Sequence, residues 1–138
     1  MKRSDFEIMA PVGSYESLHA ALQAGADSVY FGIEGLNMRA RSSVNFTHED
    51  LKNIVAICKE HNVKTYLTVN TIIYQNELEK MHRIIDTAKE AGLTAIIASD
   101  LAAILYARSI GVEVHISTQC NITNYEVVKF YAQYADVI

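Results

Sequence analysis

Among the residues able to do chemistry, His115 and Ser117 stand two apart in the run Glu113-Val114-His115-Ile116-Ser117. That spacing puts both side chains on one face of an extended strand. It also separates them by about 6.6 Å, too far for the ~3 Å hydrogen bond by which a general base activates a hydroxyl. The two therefore do not read as a hydrolase couple. Cys120 follows the same run, where a nucleophile or ligand can stand, although a packed loop thiol is the plainer reading. No HExxH pattern occurs, and His19, His48, His61 and His82 fall in or beside helical stretches as surface residues. What remains is a set suited to binding. Arg39 and Arg41 carry forks for a carboxylate or phosphate, against the rival reading of solvated or ion-paired loop arginines. Asn37, Asn70, Ser117 and Gln119 offer hydrogen bonds to orient a substrate, and Asp100 offers the same or serves as a helix N-cap. Tyr30 and Tyr66 either stack on a ring or fill an interior. No catalytic residue and no metal ligand is assigned.

These residues are spaced by a single alternation that runs the length of the chain. Short apolar runs rich in β-branched and aromatic residues predict strands at 7–10, 28–31, 63–69, 94–98, 113–116 and 135–138. Amphipathic helical patterns lie between them. Ser14 caps a helix carrying Leu18, Ala21 and Leu22, and Thr47 with Asp50 forms a capping box ahead of Leu51, Ile54, Val55 and Cys58. Asn76 with Glu79 opens a third helix, whose Leu78, Met81, Ile85 and Ala88 share a face that ends at Gly92. Asp100 or Ser99 caps a fourth with Leu101, Ile104 and Leu105, and a fifth starts near Asn124. Gly25 and Gly111 end two of the helices.

Alternating strands and helices mean parallel pairing through right-handed crossovers, hence an α/β fold. No glycine-rich phosphate loop follows any strand, and the strands keep polar residues on one face, which favours a (β/α) TIM-type barrel over an open nucleotide-binding sheet. Leu67 and Val69 are expected to face helices, with Lys64, Tyr66, Thr68 and Asn70 facing the interior. An interior Lys64 requires a carboxylate, with Glu7 and Glu113 the candidates on strands one and five. Five βα units plus a sixth strand are fewer than the eight of a full barrel, so residues 1–138 are expected to be the N-terminal part of a single barrel domain. The open edge then calls for further chain or a second copy, and a homodimer through the exposed sheet edge is one expectation.

The chain has 138 residues, half of them hydrophobic, enough for one real core. A net charge of -4 gives no long-range attraction to nucleic acid or anionic membrane. No apolar run approaches the ~18 residues of a membrane span, and Met1-Lys2-Arg3 is followed by Ser4-Asp5-Phe6-Glu7 rather than by a secretory apolar stretch. Two isolated cysteines, Cys58 and Cys120, fit a reducing compartment, and the expected location is cytoplasmic.

Ala10-Pro11-Val12-Gly13, Gly25-Ala26-Asp27-Ser28-Val29-Tyr30-Phe31-Gly32, Asn37-Met38-Arg39-Ala40, Thr68-Val69-Asn70-Thr71, and Ser117-Thr118-Gln119 with Ile122-Thr123-Asn124 follow one another along the chain. These motifs, in register, resemble those of peptidase family U32, the collagenase-like proteins. Val12 stands where the family usually has Ala, and Cys120 where Met is common. The resemblance covers the whole chain but only the first part of a family member. The cysteine-containing signature by which the family is defined lies downstream of Ile138. The resemblance implies either a peptidase or a protein that hydroxylates an RNA base or the ubiquinone ring. In the latter case an iron–sulfur cluster is held by downstream cysteines, with no cofactor in these residues. It also implies a small-molecule, RNA or peptide substrate for the full-length protein, bound at a mouth formed by Arg39, Asn70 and Gln119 with Asn37, Asp100 and Ser117. The competing expectation is an inactive scaffold or assembly half.

Overall fold

Parallel strands cannot be joined by tight turns, and this chain joins them with helices. The structure, a computed structural model, describes residues 2–33, 35–37 and 46–138. The elements are β1 (Met9–Pro11), α1 (Tyr15–Gln23), β2 (Ser28–Phe31), α2 (His48–Glu60), β3 (Lys64–Val69), α3 (Leu78–Ala91), β4 (Ala95–Ala98), α4 (Leu101–Ser109), β5 (Glu113–Ile116) and α5 (Tyr125–Tyr131). Among the described residues the strands form one parallel sheet in sequential order, β1-β2-β3-β4-β5. Register runs from Met9 opposite Ser28, through Ser28 opposite Lys64 and Tyr66 opposite Ala95, to Ala95 opposite Glu113.

The period of two divides the sheet into unlike faces. Val29, Phe31, Leu67, Val69, Ile96, Ala98 and Val114 join Leu18, Leu51, Ile54, Met81, Ile85 and Ile104 of the helices in one core. The alternate residues Tyr30, Thr68, Ile97 and His115 line a cleft on the other face. Helices thus cover one face, as a barrel requires, and the sheet stays open between β1 and the end of the chain.

Local chemistry explains the boundaries. Ser14 Oγ accepts from the Ser17 N–H, Thr47 Oγ1 from Asp50 N–H and Asn124 Oδ1 from Val127 N–H, so three helices start at their expected caps. Gly25, Gly92 and Gly111 adopt the left-handed φ that ends helices. Asn76, by contrast, is not a cap. It sits inside a 3-10 turn, Gln75–Glu77, where the Tyr74 N–H donates to Glu77 Oε2 at 3.0 Å, and the α-helix begins only at Leu78. On α4 the buried positions are Ala103, Ile104 and Ala107, while Leu101 and Leu105 are exposed, because the stripe that meets the sheet lies a residue or two away from them. The first strand is shifted as well. Ile8 O accepts from Asp27 N and Ser28 N, and ladder pairing starts one residue later at Met9. The expected sixth strand at 135–138 is a single parallel bridge, His115 to Val137, with the Ile116 N–H donating to Val137 O at 2.8 Å.

Lys64 does have the expected carboxylate partner, with its Nζ 2.6 Å from Glu7 Oε2, but its side chain is 55% exposed. The interior placement is therefore corrected: Lys64 lies at the solvated amino end of an open sheet. Asn37 lies apart from the rim. It is buried beneath Gly32, and any Cβ at Gly32 would collide with the Asn37 side-chain amide. Its Nδ2 reaches Ile33 O at 3.5 Å. Arg39, Arg41 and Asn45 lie outside the described residues.

Two predictions follow from this packing. Gly32→Ala should destabilise by about 1–3 kcal/mol through overpacking. The double change with Asn37→Ala should cost less than the sum of the two singles in denaturant titrations, because the smaller side chain removes the collision. The second concerns acid. Burial alone would raise the Glu7 carboxyl, but hydrogen bonds from Lys64 and Tyr66 outweigh it and hold Glu7 below the usual range. The Ile8 N–H and the Arg3 guanidinium depress Asp27, and the Thr47 N–H with the Tyr15 hydroxyl depresses Asp50. A carboxyl depressed on folding stabilises fully above its unfolded value and loses that contribution as pH falls through the folded one. Tm should therefore drop as pH is lowered from about 6 to about 3, and Asp27→Asn should flatten the drop in a calorimetric series.

Candidate functional site

The residues that follow β3, β4 and β5 meet at one rim. Ser117, buried, donates its N–H to Ala98 O at 2.8 Å, which ties the end of β5 to the end of β4. Its Oγ accepts from Asn70 Nδ2 and from the Gln119 N–H, each at 3.3 Å. Ser117 thus holds Asn70 from β3 and starts the turn Thr118–Cys120, which closes at Asn121 in the left-handed region. Asp100 also has its oxygens occupied. Oδ1 accepts from Ala102 N–H at 2.8 Å and Oδ2 from Ile73 N–H at 2.9 Å, so the carboxylate caps α4 and anchors the β3–α3 loop. Asn70, Asp100, Ser117 and Gln119 are brought together. Asn37 is set apart under Gly32, and Arg39 falls outside the described residues.

Two clefts share Asn70 as a wall. One, of about 460 Å³, lies on the open face of the sheet and includes Tyr30, Thr68, Ile97, His115, Ser117 and Thr118. The other, about 440 Å³, lies at the rim with Thr71, Ile72, Asp100, Gln119, Cys120 and Tyr131. No lysine or arginine lines either cleft among the described residues. Their polar groups are amides and hydroxyls, with the Asp100 carboxylate held by two backbone N–H groups, flanked by apolar side chains and rings, and such a lining suits a planar ligand with hydrogen-bonding edges. Ile72 and Tyr131 carried no sequence signal of their own, since they reach the rim through the β3–α3 loop and the end of α5. Thr68 was legible as an inward position of its strand.

The amino end of the same face is charged. Glu7 accepts from Lys64 Nζ and, through Oε1 at 2.7 Å, from the Tyr66 hydroxyl. Burial and the Glu7 carboxylate push the Tyr66 phenol well above its ordinary value, so it remains a donor. Its ring lies 4.9 Å from the His115 imidazole, whose Nε2 pairs with Glu113 Oε1 at 2.8 Å. His115 therefore faces Glu113 while Ser117 faces Asn70, and the two do not form a nucleophile–base couple. Cys120 directs its thiol to Ser99 O at 3.5 Å, and Cys58 is buried in the core with its thiol pushed up to about 11 by desolvation. Among the described residues no helix is long and apolar enough to cross a membrane.

The sequence model of peptidase family U32 matches residues 13–135. A collagenase of Porphyromonas gingivalis is 64% identical over 138 residues, covering 100% of this chain and 33% of that protein. A tRNA hydroxylation protein of Bacillus subtilis is 30% identical over 129 residues, covering 92% of this chain and 30% of that protein. The chain thus spans about a third of the length of the curated relatives it matches. The solved structure of a U32 peptidase aligns with a TM-score of 0.75 at 10% identity, over 94% of this chain and 55% of that one. At that identity the likeness speaks for the fold alone, and it agrees with the one-sided parallel sheet. Matched by the family over residues 13–135, and sharing the parallel sheet of a solved member, the chain belongs to peptidase family U32.

Proposed function

We propose that this chain supplies the substrate-binding mouth of a U32-family enzyme that acts in hydroxylating an RNA base or a quinone ring in the cytoplasm. The observation that carries the reading is the shared wall at Asn70. An amide braced by Ser117 stands between two clefts lined by amides, hydroxyls and apolar side chains, with the Asp100 carboxylate engaged by backbone N–H groups, suited to the edge of a planar ring. Asn70 and Gln119 orient the ring, Ser117 positions Asn70, and Asp100 holds the loop beside it. Tyr30 and Ile97 give the apolar contact, and Arg39, outside the described residues, is the proposed cationic fork. The relative named for tRNA hydroxylation supports the reaction class. The relative named collagenase supports peptide hydrolysis instead, but among the described residues His115 is paired with Glu113 and no nucleophile–base couple is formed.

An iron–sulfur cluster takes about four thiolates, and the two cysteines of this chain do not fit one, since Cys58 is sealed in the core and Cys120 stands alone at the rim. The cluster chemistry of the proposal therefore comes from outside these residues, and the role of this chain is to bind, orient and exclude water. A second reading, an assembly half that dimerises through its open sheet, rests on Met9 and Val137, which are 47% and 48% exposed at the two edges. Sedimentation equilibrium separates the two, because a dimer broken by Val137→Lys would support the assembly reading.

Deleting the gene should remove a hydroxylated nucleoside or quinone detectable by mass spectrometry. Restoring it with Asn70→Ala should return only part of the product, with kcat/KM lowered about three- to tenfold for one lost neutral hydrogen bond. Unchanged nucleosides and quinones, together with gelatin cleavage by the purified protein after rigorous removal of contaminating proteases, would establish the peptidase instead.

A further inference from the structure

The five histidines differ in what holds them. His48 Nδ1 lies 2.9 Å from Thr87 Oγ1, His82 stacks on Tyr106 with centroids 3.9 Å apart, and His115 is paired with Glu113. His61 places Nδ1 2.9 Å from the Ile57 carbonyl oxygen. A carbonyl only accepts, so Nδ1 carries the hydrogen and the ring's lone pair is on Nε2, the arrangement that a backbone carbonyl imposes on metal-binding imidazoles. His19 is exposed and makes no hydrogen bond or ion pair among the described residues. His19 and His61 line one groove of about 340 Å³ with Leu22 and Gln23, where α1 meets the end of α2. The groove lies on the helical side of the sheet, away from the mouth.

We propose that this groove is a site for a single divalent transition-metal ion, chelated by the imidazoles of His19 and His61. Imidazole suits Zn²⁺, Ni²⁺ and Cu²⁺ over the hard cations. No cationic side chain lines the groove, and the Glu16 carboxylate, three residues before His19 on α1, interacts electrostatically with it and favours positive charge. Among the described residues no group of three or more His, Cys, Asp or Glu is placed to hold a metal. Water therefore fills the remaining positions, and the ion is exchangeable rather than structural. The site is independent of the mouth and of the reaction proposed there.

The test is a titration of the 138-residue chain with Zn²⁺ alone, followed by calorimetry and by the imidazole NMR signals. One equivalent should bind, with the His19 and His61 resonances moving together. Loss of a second-sphere partner alone typically costs about tenfold or more in metal affinity, so His19→Gln and His61→Gln should each cost at least that. The double variant should be little worse than either single, since one ligand without the other no longer chelates. Circular dichroism should stay unchanged, because both side chains are exposed. Binding reported first by His115 or Cys120, additive losses in the double variant, or no saturable binding would each overturn the proposal.

Discussion

Parallel pairing constrains this molecule more than any single contact. Once β1 to β5 run in one direction in sequential order, every strand must end at the same rim, and the residues just past Val69, Ala98 and Ile116 converge without any choice of their own. The helices that make this pairing possible bury their stripes on one face, and the same period of two that sends Leu67 and Val69 to them sends Thr68 to the other side. Fold and candidate site are thus two consequences of one alternation.

Electrostatics then differ along the open face. Its amino end holds the charged groups, with Glu7 shared by Lys64 and Tyr66 and with Glu113 set against His115. At its carboxyl end both oxygens of the Asp100 carboxylate are engaged by backbone N–H groups, and Ser117 accepts from two donors. The charged groups thus serve architecture, and in the proposed function recognition at the mouth falls to Asn70 and Gln119. That division explains why His115 and Ser117, neighbours on one strand face, have separate partners and separate roles.

The elements were legible where apolar periodicity and capping chemistry agreed, as in α2, where Thr47 and Asp50 start a helix whose Leu51, Ile54, Val55 and Cys58 are all buried. They were misread where a competing hydrogen bond intervened. Glu77 captured the Tyr74 N–H and replaced the expected cap at Asn76 with a 3-10 turn. On α4 the buried face is Ala103, Ile104 and Ala107, so of Leu101, Ile104 and Leu105 only Ile104 enters the core. In the site, Asn70 and Gln119 could be found from their position after strands. The burial of Asn37 could not, because it depends on the missing Cβ of Gly32 across a loop, a contact that no periodicity encodes. Asp100 carried both of its readings in the sequence, and the geometry places it as the cap.

The central claim is that the rim between β3 and β5 reads the edge of a neutral planar ring through its amides. The most direct test is a titration of the isotope-labelled chain with uridine and with cytidine, observing side-chain amide signals. The account predicts saturable shifts of the Asn70 and Gln119 NH₂ resonances with at least one nucleoside, and no comparable response to a gelatin-derived peptide. Amide signals that stay fixed with both nucleosides but move with the peptide would contradict it.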